Sequence, residues 1–261
     1  MLGWKLFLRA VMLIIDNLGD ALRLSAVPYL LVVAVTVWLS VSYPEWIGAT
    51  GFDPDNMPPA GFLGGQMLVL LANMTATIWI AVNWHRYVLL SETFDGWMPA
   101  FRGPEMLGYL GRSLLVGVIM LLGIFLTSLV INLVVGMLAP PLAGVLAGTG
   151  GLFVGMILFY RLALVLPAGA IGQPITLSQS LEETRNHVGT VLVLAILTVG
   201  FTLMLQLPAL IDGGGADATA DAGPGIITVI YQLVIGWIGL ILGVGTLTAL
   251  YGHLVEGRPV D

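Results

Sequence analysis

The chain has 261 residues, of which 58% are hydrophobic and 9% are charged, and its mean hydropathy is +0.99. A soluble domain carries about 25% charged residues, so this composition excludes an ordinary water-soluble protein. Cysteine is absent, which excludes disulfides, thiolate metal sites and cysteine nucleophiles. The net charge of −6 and the scattered basic residues exclude a nucleic-acid-binding protein.

The first 22 residues predict an amphipathic helix. Apolar residues recur at helical spacing from Trp4 to Leu22, while Lys5 and Arg9 fall on another face. The apolar run 11–15 is shorter than the core of a signal peptide and is followed by Asp16. We therefore expect this helix to lie in the headgroup plane of a membrane.

Six apolar segments follow, each near the roughly 20 residues that a membrane-spanning helix needs. The uncharged run 113–160 is about twice that length, and Pro140 and Pro141 interrupt it, so it predicts a helical hairpin. The expected fold is an all-α polytopic membrane protein with three hairpins in one domain, 1–261. The predicted spans are 24–43, 62–84, the two halves of 113–160, 188–211 and a segment after Pro224.

The basic residues predict the orientation of these spans. All 9 Lys and Arg residues fall on one side, whereas the opposite loops 44–61, 138–142 and 212–224 contain none. Cytoplasmic loops keep their Lys and Arg residues, and short translocated loops lack them. The sequence therefore predicts a multi-pass protein of a bacterial inner membrane, with both termini and the interfacial helices on the cytoplasmic side.

Each predicted hairpin is preceded by a short amphipathic stretch, which suggests three copies of one unit: 1–90, 98–168 and 174–254. The alternative is that any cytoplasmic loop between membrane hairpins tends to be charged and amphipathic, without duplication. Both interpretations stay open at this point.

Glycines form a stripe in the fourth and in the sixth span. Small residues at such spacing let helices approach closely in lipid. The stripes predict a tight helix contact that involves both spans, with dimerisation as the alternative. They consist of Gly144, Gly148, Gly151 and Gly155 in the fourth span, and Gly236, Gly239 and Gly243 in the sixth.

Chemistry-bearing residues are scarce. No predicted span has an ionisable residue at its centre, which disfavours ion-coupled transport. Ser/His/Asp sets, HExxH motifs and paired intramembrane carboxylates are not found, so we expect a non-enzymatic protein without a cofactor. Asp53 and Asp55, in the outward loop before the second span, leave a calcium site or a docking surface as alternatives.

The 3 histidines all lie at the cytoplasmic ends of predicted spans. A three-histidine metal site is one interpretation. The other is contact with the headgroup of an anionic lipid or a quinone, made by His85 with Arg86 and by His253 with Tyr251.

Three short segments, 84–92, 161–168 and 250–258, carry a resemblance. With them the chain resembles uncharacterised six-helix inner-membrane proteins of alphaproteobacteria and, more distantly, the membrane domain attached to glycerophosphoryl diester phosphodiesterases. No segment resembles the phosphodiesterase catalytic domain, so the resemblance implies a fold and a compartment but no reaction.

Two functions are compatible with these features. The first is an accessory or scaffold subunit of a larger inner-membrane assembly, respiratory or photosynthetic, with lipids and other integral membrane proteins as partners. The alternative is a facilitator or binder of a lipid, quinone or other apolar molecule in a groove between hairpins. A cavity lined by Asn73, Thr77, Asn132 or Gln232 would favour the alternative.

Overall fold

The computed structural model describes residues 1–46, 57–93, 96–205 and 226–260, and within these ranges the chain is all-α, without strands. Short 3₁₀ turns occupy Pro44–Trp46 and Arg185–His187. The helices are α1 Leu2–Asp16, α2 Leu18–Ser42, α3 Ala60–Leu90, α4 Gly103–Leu138, α5 Pro140–Leu162, α6 Val165–Ala170, α7 Leu177–Glu183, α8 Val188–Leu205 and α9 Ile226–Leu254.

Several of these helices are long and apolar enough to cross a membrane. Within the described ranges 5 helices meet this condition individually. Helix α7 and the helical segment after it meet the condition together, with a bend of 46° between them, and would form a sixth span. The predicted all-α polytopic fold is therefore confirmed. The break between α4 and α5 falls at Ala139 and Pro140, where proline occupies a favoured first helical position.

Two helices extend well beyond their predicted spans. Helix α3 has 31 residues, which makes it about 46 Å long, against about 30 Å for a hydrocarbon core. Helix α4 has 36 residues and begins at Gly103, ten positions before the uncharged run. The extra turns carry arginines and lie at what we call the basic end of the bundle, defined by Arg86, Arg102, Arg112, Arg161 and Arg258.

Helix α1 packs against α8 and α9. Leu6 and Ala10 are buried on this face. Gly3 lies so close to the start of α8 that a side chain there would collide with Val193. A second apolar face, which includes Trp4 and Met12, remains exposed. The helix is thus amphipathic as predicted, with part of its apolar surface used for packing; its place in the headgroup plane stays a prediction.

The contact between α4 and α5 differs from the predicted stripe. Its small residues follow one another at intervals of four: Ala143, Ala147, Gly151 and Gly155, all buried. The hydroxyl of Ser128 in α4 donates a hydrogen bond of 2.8 Å to the carbonyl of Ala147.

Two of the predicted contact glycines do not take part. Gly144 and Gly148 are exposed and have no neighbour near the position of a side chain. For these two the prediction of a tight contact is wrong. Each follows a buried alanine, Ala143 or Ala147, by one residue and therefore lies on a different face of the helix.

The segment between the predicted fourth and fifth spans is among the most buried parts of the described chain. After α5, residues 163–171 include α6, which lies between α3, α4 and α9. Ala163, Leu164 and Ala168 are completely buried. The apolar run here is too short for a span, which is why the sequence did not reveal its insertion into the bundle.

The three stretches that precede the predicted hairpins differ in structure. The first is the separate helix α1, the second is the beginning of α4 and the third is the short helix α7. The threefold repeat stays a prediction.

Candidate functional site

A cleft of about 720 Å³ lies between α3, α4 and α9. Leu166 of α6 and Phe159 of α5 complete it. The other lining residues are Leu70, Asn73, Met74, Thr77, Ile78 and Ala81 of α3, Tyr109, Leu110, Ser113, Leu114, Val116, Gly117 and Met120 of α4, and Gly239, Leu240, Gly243, Val244 and Leu247 of α9.

The lining is mostly apolar, with a few polar groups on α3 and α4. These are Asn73, Thr77, Tyr109 and Ser113, and no Asp, Glu, Lys, Arg or His lines this cleft of the described chain. Its volume falls in the range of about 300–1,000 Å³ that is typical of small-molecule sites. An apolar cavity with a few convergent hydrogen-bonding groups suits a largely apolar, uncharged portion of a ligand.

Glycines keep the cleft open. Gly117 and Gly243 line it, and neither has an atom near the position that a side chain would occupy. Gly239 also lines the cleft, and it packs closely against α8: a Cβ there would lie 2.8 Å from the ring of Phe201. Gly236 lies near the Tyr29 hydroxyl of α2. Of the three glycines of α9 that were predicted as contact residues, two make contacts and one opens into the cleft.

Of the four polar residues expected to line a cavity, the structure brings two into the cleft. Asn73 and Thr77 lie in it on successive turns of α3. Asn132 lies elsewhere on α4 and donates to the carbonyl of Ser128 at 3.0 Å, and Gln232 is exposed on α9. The sequence did not single out Ser113, Gly117 or α6 as parts of this site.

Behind the cleft, His85 forms a buried polar network. Its Nδ1 lies 2.8 Å from Oγ1 of Thr248, and its Nε2 lies 3.4 Å from the Tyr109 hydroxyl. The Thr248 hydroxyl donates to the carbonyl of Val244 at 2.7 Å, so its oxygen is left to accept. We infer a neutral imidazole that donates from Nδ1 and accepts the Tyr109 proton at Nε2.

This placement corrects the expectation for His85. The side chain is completely buried, so it does not contact a lipid or quinone headgroup. Its position at the end of the predicted span suggested an interface, but α3 continues beyond it to Leu90 and α6 covers this part of the bundle.

Arg86 is also engaged within the protein. Its guanidinium forms a double hydrogen bond with Glu92 and donates from Nη1 to the carbonyl of Ala170 at 2.9 Å. Arg102 binds the same carboxylate at 2.8 Å. The hydrogen bond from Arg86 lowers the pKa of Glu92, and the charge of Arg102 adds to this effect. This cluster joins the basic ends of α3, α4 and α6, and it is not free for a headgroup.

The other two expected contacts have structural roles as well. Tyr251 is buried, and Nδ1 of His253 donates to the carbonyl of Arg258 at 2.8 Å. Arg258 in turn donates to the carbonyls of Val88 and Leu89 at 3.1 Å and 2.6 Å, which caps the end of α3. His85, Arg86, Tyr251 and His253 therefore do not form the expected headgroup site.

Arg112 differs from these arginines. Its guanidinium lies between Gly108, one turn earlier in α4, and Gly169 of α6, where a Cβ would be 2.7 Å from Cζ. The side chain is partly buried, yet no hydrogen bond or ion pair joins it to another residue in the described chain.

Within the described ranges, no three His, Asp or Glu residues lie close enough together to hold a metal ion. Asp53, Asp55 and the loop 212–224 lie outside the residues that the structure describes. The calcium site therefore stays an open alternative.

No known protein family, curated protein or solved structure matches the chain. The resemblance to alphaproteobacterial membrane proteins stays a prediction from the three short segments.

Proposed function

We propose that this protein binds an amphipathic or apolar membrane molecule in the cleft between α3, α4 and α9. The observation that carries the proposal is the cleft itself, about 720 Å³ of mostly apolar volume with a few hydrogen-bonding groups. In the native setting we place the protein in a bacterial inner membrane, with the basic end on the cytoplasmic side.

The margins of the cleft support entry from the bilayer. Leu70 of α3 and Leu114 of α4 line it, and both are more than half exposed. If these helices span a membrane, exposed apolar residues at mid-helix face lipid, and a lipid-soluble molecule can enter sideways. A hydrated ion gains little here, because no charged group in the lining replaces its water.

The earlier hypothesis of an accessory or scaffold subunit stays a prediction. It differs from the proposed function in what accompanies the purified chain. A subunit brings proteins in fixed stoichiometry, whereas a binder purifies alone with a retained small molecule.

The experiment is a purification from the source membrane in mild detergent, followed by mass spectrometry of intact complexes and of extracted lipids. Gly243→Leu fills the cleft from α9, because the position opens into it. Gly148→Leu is the matched control, since it adds the same side chain to an exposed, open position outside the cleft.

We expect the unmodified chain and Gly148→Leu to retain the same lipid-soluble molecule in near-stoichiometric amount, and Gly243→Leu to lose most of it. Equal retention by all three proteins would contradict the proposed function. A fixed set of partner proteins with no retained small molecule would favour the accessory subunit.

A further inference from the structure

The polar and the apolar lining residues lie in different halves of the cleft, and this separation indicates how a ligand would be oriented. The polar residues Ser113 and Thr77 lie in its basic half, whereas Leu70, Met120 and Gly239 line the half toward the middle of the bundle. An amphiphile that enters from the bilayer would direct its chain to the apolar half and its polar group toward the basic end.

Arg112 lies beside this polar half. It directly precedes Ser113 on α4, and Tyr109 lies one turn before it. Its guanidinium rests against Gly169, and Leu166, one turn earlier on α6, lines the cleft. The guanidinium therefore lies next to the region where the polar group of a bound amphiphile would be found.

Four arginines of the described chain pair with a carboxylate, whereas Arg112, like Arg9, Arg161 and Arg185, has no ion pair within the described ranges. Arg86 and Arg102 share Glu92, Arg23 pairs with Asp20, and Arg258 pairs with Glu256. Arg112 has no such partner in the described ranges, although the absence of side chains at Gly108 and Gly169 gives its guanidinium a defined position. A partly buried cation held in place without an anion is suited to an anion from outside the chain.

Resting on the proposed function, we infer that the cleft ligand is an anionic amphiphile whose phosphate or carboxylate headgroup binds Arg112. Its acyl chain occupies the apolar half of the cleft, and its ester or glycerol oxygens lie near Ser113 and Thr77. A phospholipid and a free fatty acid both supply this chemistry.

The test measures retention of defined lipids by the purified full-length protein in detergent, using native mass spectrometry. Phosphatidylglycerol and phosphatidylcholine with identical chains differ in net charge, and oleate separates a carboxylate from a phosphate headgroup. We expect the unmodified protein to prefer phosphatidylglycerol over phosphatidylcholine by at least about fivefold, as one favourable basic contact provides.

Arg112→Gln should bring this preference close to one, and Arg112→Lys should restore part of it. Gly169→Ala keeps the arginine but displaces its guanidinium, so it should also weaken the preference if Arg112→Gln proves unstable. Arg185→Gln is the control, because it removes one positive charge from an exposed position away from the cleft.

The outcomes separate this inference from the proposed function. If Arg112→Gln keeps the preference while Gly243→Leu loses both lipids, the anionic site is wrong and the cleft still binds an amphiphile. If Gly243→Leu retains both lipids, the cleft itself is not the binding site. Retention of oleate without phosphatidylglycerol would support the anionic site with a carboxylate ligand, and equal retention of both phospholipids by the unmodified protein would contradict it.

Discussion

Nδ1 of His85 in α3 lies 2.8 Å from Oγ1 of Thr248 in α9, and this buried hydrogen bond joins two walls of the cleft. On the other side of the ring, Nε2 faces the Tyr109 hydroxyl of α4, so the third wall belongs to the same network. The network fixes the spacing of the three helices at the basic end. The volume of the cleft therefore depends on a buried polar network of which Tyr109 is the only member in the lining.

The Thr248 hydroxyl should be needed for stability. Thr248→Val keeps the shape but removes the acceptor for His85 Nδ1, which leaves a buried donor without a partner, so we expect a loss of about 1 kcal/mol. The apparent unfolding temperature in detergent should fall by about 2–4 °C. Thr248→Ser keeps the hydroxyl and should retain the network; a larger loss for serine than for valine would contradict this role.

Stability should fall in acid through Glu92. Because Arg86 lowers the pKa of this carboxyl in the folded protein, its stabilisation is complete above its ordinary pKa of 4.5 and is lost as the pH falls through the lowered value. Glu92→Gln should therefore be less stable than the unmodified chain at pH 7. Unfolding temperatures measured across acidic pH should show this difference shrinking; a difference independent of pH would contradict the prediction.

Two glycines of α5 should respond to alanine in opposite ways. At Gly151 a Cβ would meet Ser128 and lie 3.1 Å from the Ile124 carbonyl, so Gly151→Ala should destabilise by about 1–3 kcal/mol. At Gly148 the position is open, and alanine should be neutral or stabilise by up to about 1 kcal/mol through helix propensity. Thermal unfolding of both variants tests the α4–α5 contact, and equal effects would contradict it.

The absence of cysteine allows a direct test of orientation. Met57→Cys and Asn186→Cys introduce single thiols at exposed positions on predicted opposite sides of the membrane. A membrane-impermeant maleimide should label Met57→Cys in cells with a permeabilised outer membrane and Asn186→Cys only after the inner membrane is opened. The reverse pattern would place the termini outside.

The order of the long apolar helices could be predicted from sequence because uncharged runs and prolines report directly on bilayer length and helix breaks. Pro140 begins α5, close to the expected interruption of the run 113–160. The basic-end extension of α3 was less visible, since hydropathy ends at the first charge whereas the helix continues through Arg86.

The site was harder to predict because it depends on which helices meet. Asn73 and Thr77 were identified as cavity candidates, but their uncharged polarity did not indicate α4 and α9 as their neighbours. The four headgroup candidates were chosen for their place at span ends, and three-dimensional packing gave them partners within the chain instead. Nothing in the sequence places Arg112 beside Gly169.

The most direct measurement is photo-crosslinking of the protein in vesicles with a phospholipid that carries a diazirine in its acyl chain, followed by peptide mapping. Our account predicts adducts concentrated in residues 70–81, 109–120 and 239–247, which line the cleft. Segment 121–138 of α4 is the internal reference, because it is apolar and exposed but lies outside the cleft. Adducts spread evenly over both regions, or unchanged by Gly243→Leu, would contradict a binding cleft.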